Sequence, residues 1–183
     1  MKIDQPIRWG ILACGGIARK FADDLAFVSN GYLAAVSSRD ITRAEEFASH
    51  YSKDVKVYGS YEAMLASGEI DVVYIASPHG LHYEHTMMCL KEGKSVLCEK
   101  PLGMNANEIE EIIKEAKSRN LFLIEGLSTR FLPSTEKALS LIEKKFIGDI
   151  TSIRADFGFN ASSLKGGRLF DKKLGGGSLL DIG

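Results

Sequence analysis

Short apolar runs alternate with segments of helical period from the amino terminus to about residue 125. Residues 7–13 predict a strand, and residues 16–27 a helix with Ile17, Phe21 and Leu25 on one face. A strand at 32–37, a helix at 41–51, a short strand at 56–58 and a short helix at 61–66 follow. Residues 70–76 (Ile-Asp-Val-Val-Tyr-Ile-Ala) are nearly all apolar, as in a strand buried on both faces of a parallel sheet. A helix at 83–91 stops before Gly93, and a strand covers 95–99. Asn105 then caps a long helix, with Glu108 three residues on completing a capping-box-like pattern. Ile109, Ile112, Ile113 and Ala116 form its predicted buried stripe, and residues 121–124 a sixth strand.

This repeated strand–helix order implies parallel pairing through right-handed crossovers, hence a doubly wound α/β sheet of Rossmann type over residues 1–125. Such sheets bind ligands outside the carboxyl ends of their strands. After residue 125 the pattern changes. Residues 134–146 read as a helix, and 151–160 alternate, with Thr151, Ile153, Ala155, Phe157 and Phe159 on one side. That is the pattern of a strand with one buried face. One such strand satisfies neither its own backbone nor its apolar side. Residues 126–183 are therefore expected to be the first part of a second, α+β open-sheet domain whose remainder lies outside this sequence.

Composition is average for a globular chain, with 45% hydrophobic and 26% charged residues. The 23 Lys and Arg against 24 Asp and Glu leave a net charge of −1, which gives no basic field for nucleic acid or anionic membrane. Cys14, Cys89 and Cys98 make neither an even framework nor a Cys-x-x-Cys pair, which suits reduced thiols in a cytoplasm. The start, Met-Lys-Ile-Asp-Gln-Pro, has no long apolar stretch and does not read as a signal peptide, and no run approaches a membrane span.

Four constellations sit at predicted carboxyl ends. In the first strand–helix turn, Ala13-x-Gly15-x-x-Ala18 follows a G-x-G-x-x-A pattern with Ala in its first place. Gly15 allows close approach of a pyrophosphate to the helix amides, and Ala18 allows close helix packing. An ordinary tight turn is the alternative. After the second strand, Ser37, Ser38 and Arg39 precede Asp40. This order favours a 2′-phosphate, hence NADP over NAD, with Asp40 either capping the next helix or meeting a ribose. Arg39 as a solvated loop residue is the plainer alternative.

His79, His82 and His85 follow the fourth strand, at a spacing unlike helical zinc motifs and with no ligand spaced to complete a metal site. A cofactor loop with Ser77 and Pro78 is the preferred reading, and no metal is expected. Glu99, Lys100 and Pro101 end the fifth strand, where Pro101 invites a cis bond. There Lys100 is a candidate to handle a hydroxyl proton, against the alternative of an exposed turn.

Together, the Gly15-Gly16-Ile17-Ala18 turn, Ser77-Pro78 with His82, Glu99-Lys100-Pro101 and Gly175-Gly176-Gly177-Ser178-Leu179-Leu180-Asp181-Ile182-Gly183 closely resemble the glucose–fructose oxidoreductase / inositol dehydrogenase family. Within it, the segments starting at Tyr58, Val96, Thr129 and Leu179 look most like the group of dimeric dihydrodiol and D-xylose dehydrogenases. Leu127-Ser128 stands where that group commonly carries a Trp before its Thr-Arg-Phe segment.

The resemblance implies an NAD(P)-dependent oxidoreductase that moves hydride between a hydroxyl of a sugar or trans-diol and nicotinamide, as a homodimer when full-length. It implies that Gly15, Gly16 and Ile17 lie on the pyrophosphate, and that Ser38 and Arg39 meet the adenosine end. Ser77, Pro78 and His79 would lead toward the nicotinamide ribose, with Glu99 on ribose hydroxyls. His82, Glu125 and Arg130 complete the expected cofactor-binding set. Lys100 and Asp181 are the expected catalytic residues, holding the reacting hydroxyl. The family's proton-transferring Tyr or His would fall four residues after Asp181, at position 185, and its members run close to twice this length. The 183-residue chain taken alone is thus expected to bind nucleotide with little or no turnover, and a non-enzymatic sensor of nicotinamide state is the other alternative.

Overall fold

In a computed structural model, residues 5–161 and 167–181 are described. The polar start at residues 1–4 and the closing Ile182 and Gly183 lie outside them. Six strands, β1 (Ile7–Leu12), β2 (Gly31–Ser37), β3 (Lys56–Tyr58), β4 (Val72–Ile75), β5 (Ser95–Glu99) and β6 (Leu123–Gly126), form one sheet in the order β3-β2-β1-β4-β5-β6. Every pairing is parallel. The order reverses between β1 and β4, and this is the switch point at which doubly wound sheets open a crevice.

Each strand alternates its side chains between two cores. On one face Ile11, Val36 and Tyr74 pack with Ala18 and Ala22 of α1 (Gly16–Leu25) and Phe47 of α2 (Ile41–Ala48). On the other, Leu12, Val73, Ile75 and Val96 meet Met64 of α3 (Tyr61–Ala66), Leu90 of α4 (His82–Lys91) and Ile112 of α5 (Ala106–Ser118). Each fully buried Ile or Leu contributes about 1.5–3 kcal/mol. The small Ala18 and Ala22 let α1 lie close to the sheet, which fixes where its first turn points.

Caps end the helices as the side-chain chemistry requires. Asp40, Ser60 and Asn105 each accept from a first-turn amide. Two predicted stripes are corrected. Ile113 is 39% exposed, because α5 turns Ile109, Ile112 and Ala116, and not Ile113, to the neighbouring core. Ile17 is 46% exposed because it sits on the side of α1 that faces the crevice.

Beyond β6 come α6 (Pro133–Glu143) and, after residues 144–177, α7 (Ser178–Asp181). The predicted strand at 151–160 is not formed. No partner strand stands beside it among the described residues, and Ile153 and Phe157 are 81% and 74% exposed. A lone amphipathic strand has no ladder to hold it. No helix among the described residues is long and apolar enough to cross a membrane.

Candidate active site

A cleft of about 740 Å³ opens at the carboxyl ends of β1, β2, β4 and β5. Its floor is the turn after β1. Ala13 takes φ +77°, the left-handed conformation that a glycine in this place would adopt freely. Gly15 is then the N-cap of α1, with no side chain on the helix amides. A Cβ on Gly15 or Gly16 would meet nothing within 4 Å, so this turn presents bare amides and the positive end of the helix dipole to the cleft. The residues present therefore fit a dinucleotide pyrophosphate. Cys14 beside them donates to the Ser37 carbonyl, and burial pushes its thiol up to about 11, so it is an inert wall.

The end of β2 supplies one rim. Ser37 Oγ donates to the Ile11 carbonyl, tying β2 to β1, and Ser38 Oγ accepts from the Asp40 amide. Asp40 lines the cleft, but one carboxylate oxygen accepts from both the amide and the hydroxyl of Thr42, and the other lies 3.7 Å from Arg43. Those hydrogen bonds hold its carboxyl below the ordinary range. Asp40 thus serves α2, while Arg39 and Arg43 reach the cleft.

After β4, Ser77, Pro78 and His79 line the opposite wall. Ser77 Oγ lies 2.8 Å from Nδ1 of the buried His85, whose ring meets Tyr61 edge-on. His82 is fully buried, with its ring nitrogens 2.6 Å and 2.8 Å from the carbonyls of Pro101 and Ser77. It pins the β4 and β5 loops together and does not line the cleft. Among the described residues no group of three His, Cys, Asp or Glu is placed to hold a metal ion.

At the end of β5 the Lys100–Pro101 bond is cis. Glu99 accepts from the Tyr74 hydroxyl at 2.6 Å, and burial together with this carboxylate drives the phenol's pKa upward. Lys100 reaches across to α7, where its ammonium donates to the backbone carbonyl of Asp181 and lies 3.2 Å from the carboxylate Oδ1. The segment leading into α7 sits on the β4 loop. Gly175, at φ +77°, packs so close to His79 that a Cβ there would stand 2.6 Å from that of His79.

The cleft thus brings together Gly15, Gly16, Ile17, Ser38, Arg39, Ser77, Pro78, His79, Glu99, Lys100 and Asp181. His82, Glu125 and Arg130 do not line it. Glu125 accepts from the Leu102 amide, which secures the turn after Pro101, and Arg130 is exposed in a short 3-10 turn after β6. Polar lining residues that the sequence reading did not name are Tyr61, Arg43 and Arg168. Tyr61, directly after the Ser60 cap, and Arg43, one turn into α2, were detectable from their places just past strand ends. Arg168 carried no such signal.

The profile of a family described as "Oxidoreductase family, NAD-binding Rossmann fold" matches residues 7–127. The chain is 42% identical over 179 residues to human trans-1,2-dihydrobenzene-1,2-diol dehydrogenase and 40% identical over 178 residues to that of Xenopus tropicalis. These alignments cover 97% and 96% of the chain, which spans about half (53%) of the length of each relative. Among solved structures, KijD10, a 3-ketoreductase from Actinomadura kijaniata in complex with NADP, superposes with a TM-score of 0.73 at 30% identity. That match covers 80% of this chain and 46% of the other. An NAD-binding protein from Listeria innocua gives 0.78 at 26% identity, over 97% and 52%.

Proposed function

From the premise that the chain belongs to this NAD-binding Rossmann oxidoreductase family, we propose that the protein uses NADP to interconvert a secondary alcohol and a carbonyl on a small trans-diol or sugar. The observation that carries the reading is the Lys100 ammonium at the lip of the cleft, held on Asp181 within reach of a ligand lying along β1 and β4.

Gly15 and Gly16 would hold the pyrophosphate with the first-turn amides of α1. Arg39 would pair with the 2′-phosphate, a role favoured by the engagement of Asp40 with Thr42 and Arg43. Glu99, steadied by Tyr74, would accept from ribose hydroxyls. When bound, NADP supplies the carbon that accepts or returns the hydride. Lys100 would donate to the substrate oxygen and stabilise the negative charge that develops on it. Asp181 would fix the ammonium's direction. Names of the relatives support the diol and reductase chemistry.

Exposed Ile153, Phe157 and Phe159 support a homodimer for the whole protein, and three free cysteines support a cytoplasmic setting. Fluorescence titration with NADPH and NADH tests the reading. Saturable NADPH binding, tighter than NADH, is expected; binding of neither would reject it.

A further inference from the structure

Three side chains converge on the Asp181 carboxylate: Lys100 at 3.2 Å, Nε2 of His79 at 3.7 Å and Arg168 at 3.9 Å from Oδ1. Asp181 is mostly buried and His79 almost wholly so, while Arg168 is half exposed. One carboxylate cannot serve three cations equally. If His79 carried a second ring proton, its Nε2–H would point at Asp181 and draw the carboxylate from Lys100.

The hydrogen bonds around His79 prevent this. Its Nδ1 lies 3.1 Å from the Gly175 carbonyl, which only accepts, so Nδ1 carries the proton and donates. Arg168 lies 3.2 Å from Nε2, and a guanidinium only donates, so Nε2 must offer its lone pair. One neutral tautomer satisfies both neighbours.

We propose that Arg168 is a positioning residue for the hydroxyl-binding pair: by donating to Nε2 it locks His79 as the neutral Nδ1–H tautomer and leaves Asp181 to Lys100. The inference rests on the proposed role of Lys100 but concerns a contact that exists without any ligand. Burial and the guanidinium charge both lower the His79 pKa, as does His82, whereas the Gly175 carbonyl and Asp181 raise it. Removing the guanidinium therefore removes a lowering influence and leaves Asp181 free to attract a protonated His79.

Nitrogen-15 NMR of the imidazoles tests this on the chain itself. Wild type is expected to show His79 as the neutral Nδ1–H tautomer near neutral pH. Arg168→Gln is expected to raise the His79 titration midpoint by about one pH unit, and Arg168→Lys to restore part of the shift. In a form of the protein that turns over, Arg168→Gln should lose more activity at pH 6 than at pH 8, with KM for NADPH little changed. A wild-type Nε2–H tautomer, or a midpoint that does not move in Arg168→Gln, would overturn the proposal. Failure of NADPH to bind would instead sink the functional reading while leaving the NMR result standing.

Discussion

The phenol of Tyr74, in β4, donates to Oε1 of Glu99, at the end of the adjacent β5, over 2.6 Å. The same ring stacks on Phe21 of α1, with centroids 3.9 Å apart. One side chain thus joins the helix of the glycine turn to the carboxylate at the cleft's far wall. Tyr74→Phe keeps the stack and removes only the hydroxyl. It leaves a half-buried carboxylate short of a donor, which costs about 1–3 kcal/mol. Urea unfolding should show a lower midpoint with an unchanged slope. NADPH affinity should also fall, because Glu99 would no longer be aimed. An unchanged midpoint would mean that the Glu99 carboxylate is held by other groups.

Replacing Lys100 with Met keeps much of the stem and removes the ammonium. In an active form of the protein, turnover of a diol or aldose should drop about 10²–10⁴-fold, the usual size of general acid–base assistance. NADPH binding, followed by fluorescence, should change little, since the proposed pyrophosphate site is the first turn of α1, on the other side of the cleft. Full activity in Lys100→Met would mean that a group other than this ammonium serves the reacting oxygen.

How far the chain's residues announce this architecture depends on the distance over which each signal acts. Helix period and buried apolar runs are local, so the six strands and the helices between them were legible, with β3, α3 and β5 matching their predicted bounds. That Glu99, Lys100 and Arg39 line one cleft was legible because a parallel sheet gathers the ends of its strands on one side. His82 and Glu125 occupy the same edge but turn toward loop backbone, Pro101 and Leu102 respectively, which no spacing rule distinguishes. Arg168 meets His79 across 89 positions, a pairing set by tertiary packing that no local pattern announces. The alternation at 151–160 states which side a sheet would bury, but a strand exists only where another pairs with it.

Ala13 offers a test of backbone strain at the turn between β1 and α1. Its φ of +77° is comfortable for Gly, costs an Ala about 1–2 kcal/mol, and is worse for a β-branched residue. Ala13→Gly relieves that strain, although the greater freedom of Gly in the unfolded chain offsets about half of it or more. The expected net change is between neutral and about 1 kcal/mol of stabilisation, whereas Ala13→Val should destabilise by more than about 1 kcal/mol. Thermal unfolding of the two variants beside wild type decides this. Equal effects would show that the turn does not hold Ala13 in the left-handed region.

At the opposite edge of the sheet, Arg8 and Asp71 clamp the entries of β1 and β4. The Arg8 amide and guanidinium both donate to the Asp71 carboxylate, the shortest contact being 2.6 Å, and the guanidinium also donates to the Gly68 carbonyl. These bonds hold the Asp71 carboxyl below its ordinary value of 3.8. Because the folded pKa is the lower one, the contribution is fully present above the unfolded value and fades as pH falls through the folded value. Both side chains are about two-fifths exposed, 38% and 42%, so solvent screening limits the pair to about 0.5–1 kcal/mol. Asp71→Asn should therefore lower the unfolding free energy from urea titration at pH 7 by that amount, and the gap to wild type should narrow progressively below about pH 4. A gap that stays constant down to pH 3 would mean that Asp71 acts through shape and neutral hydrogen bonds, with its charge contributing nothing.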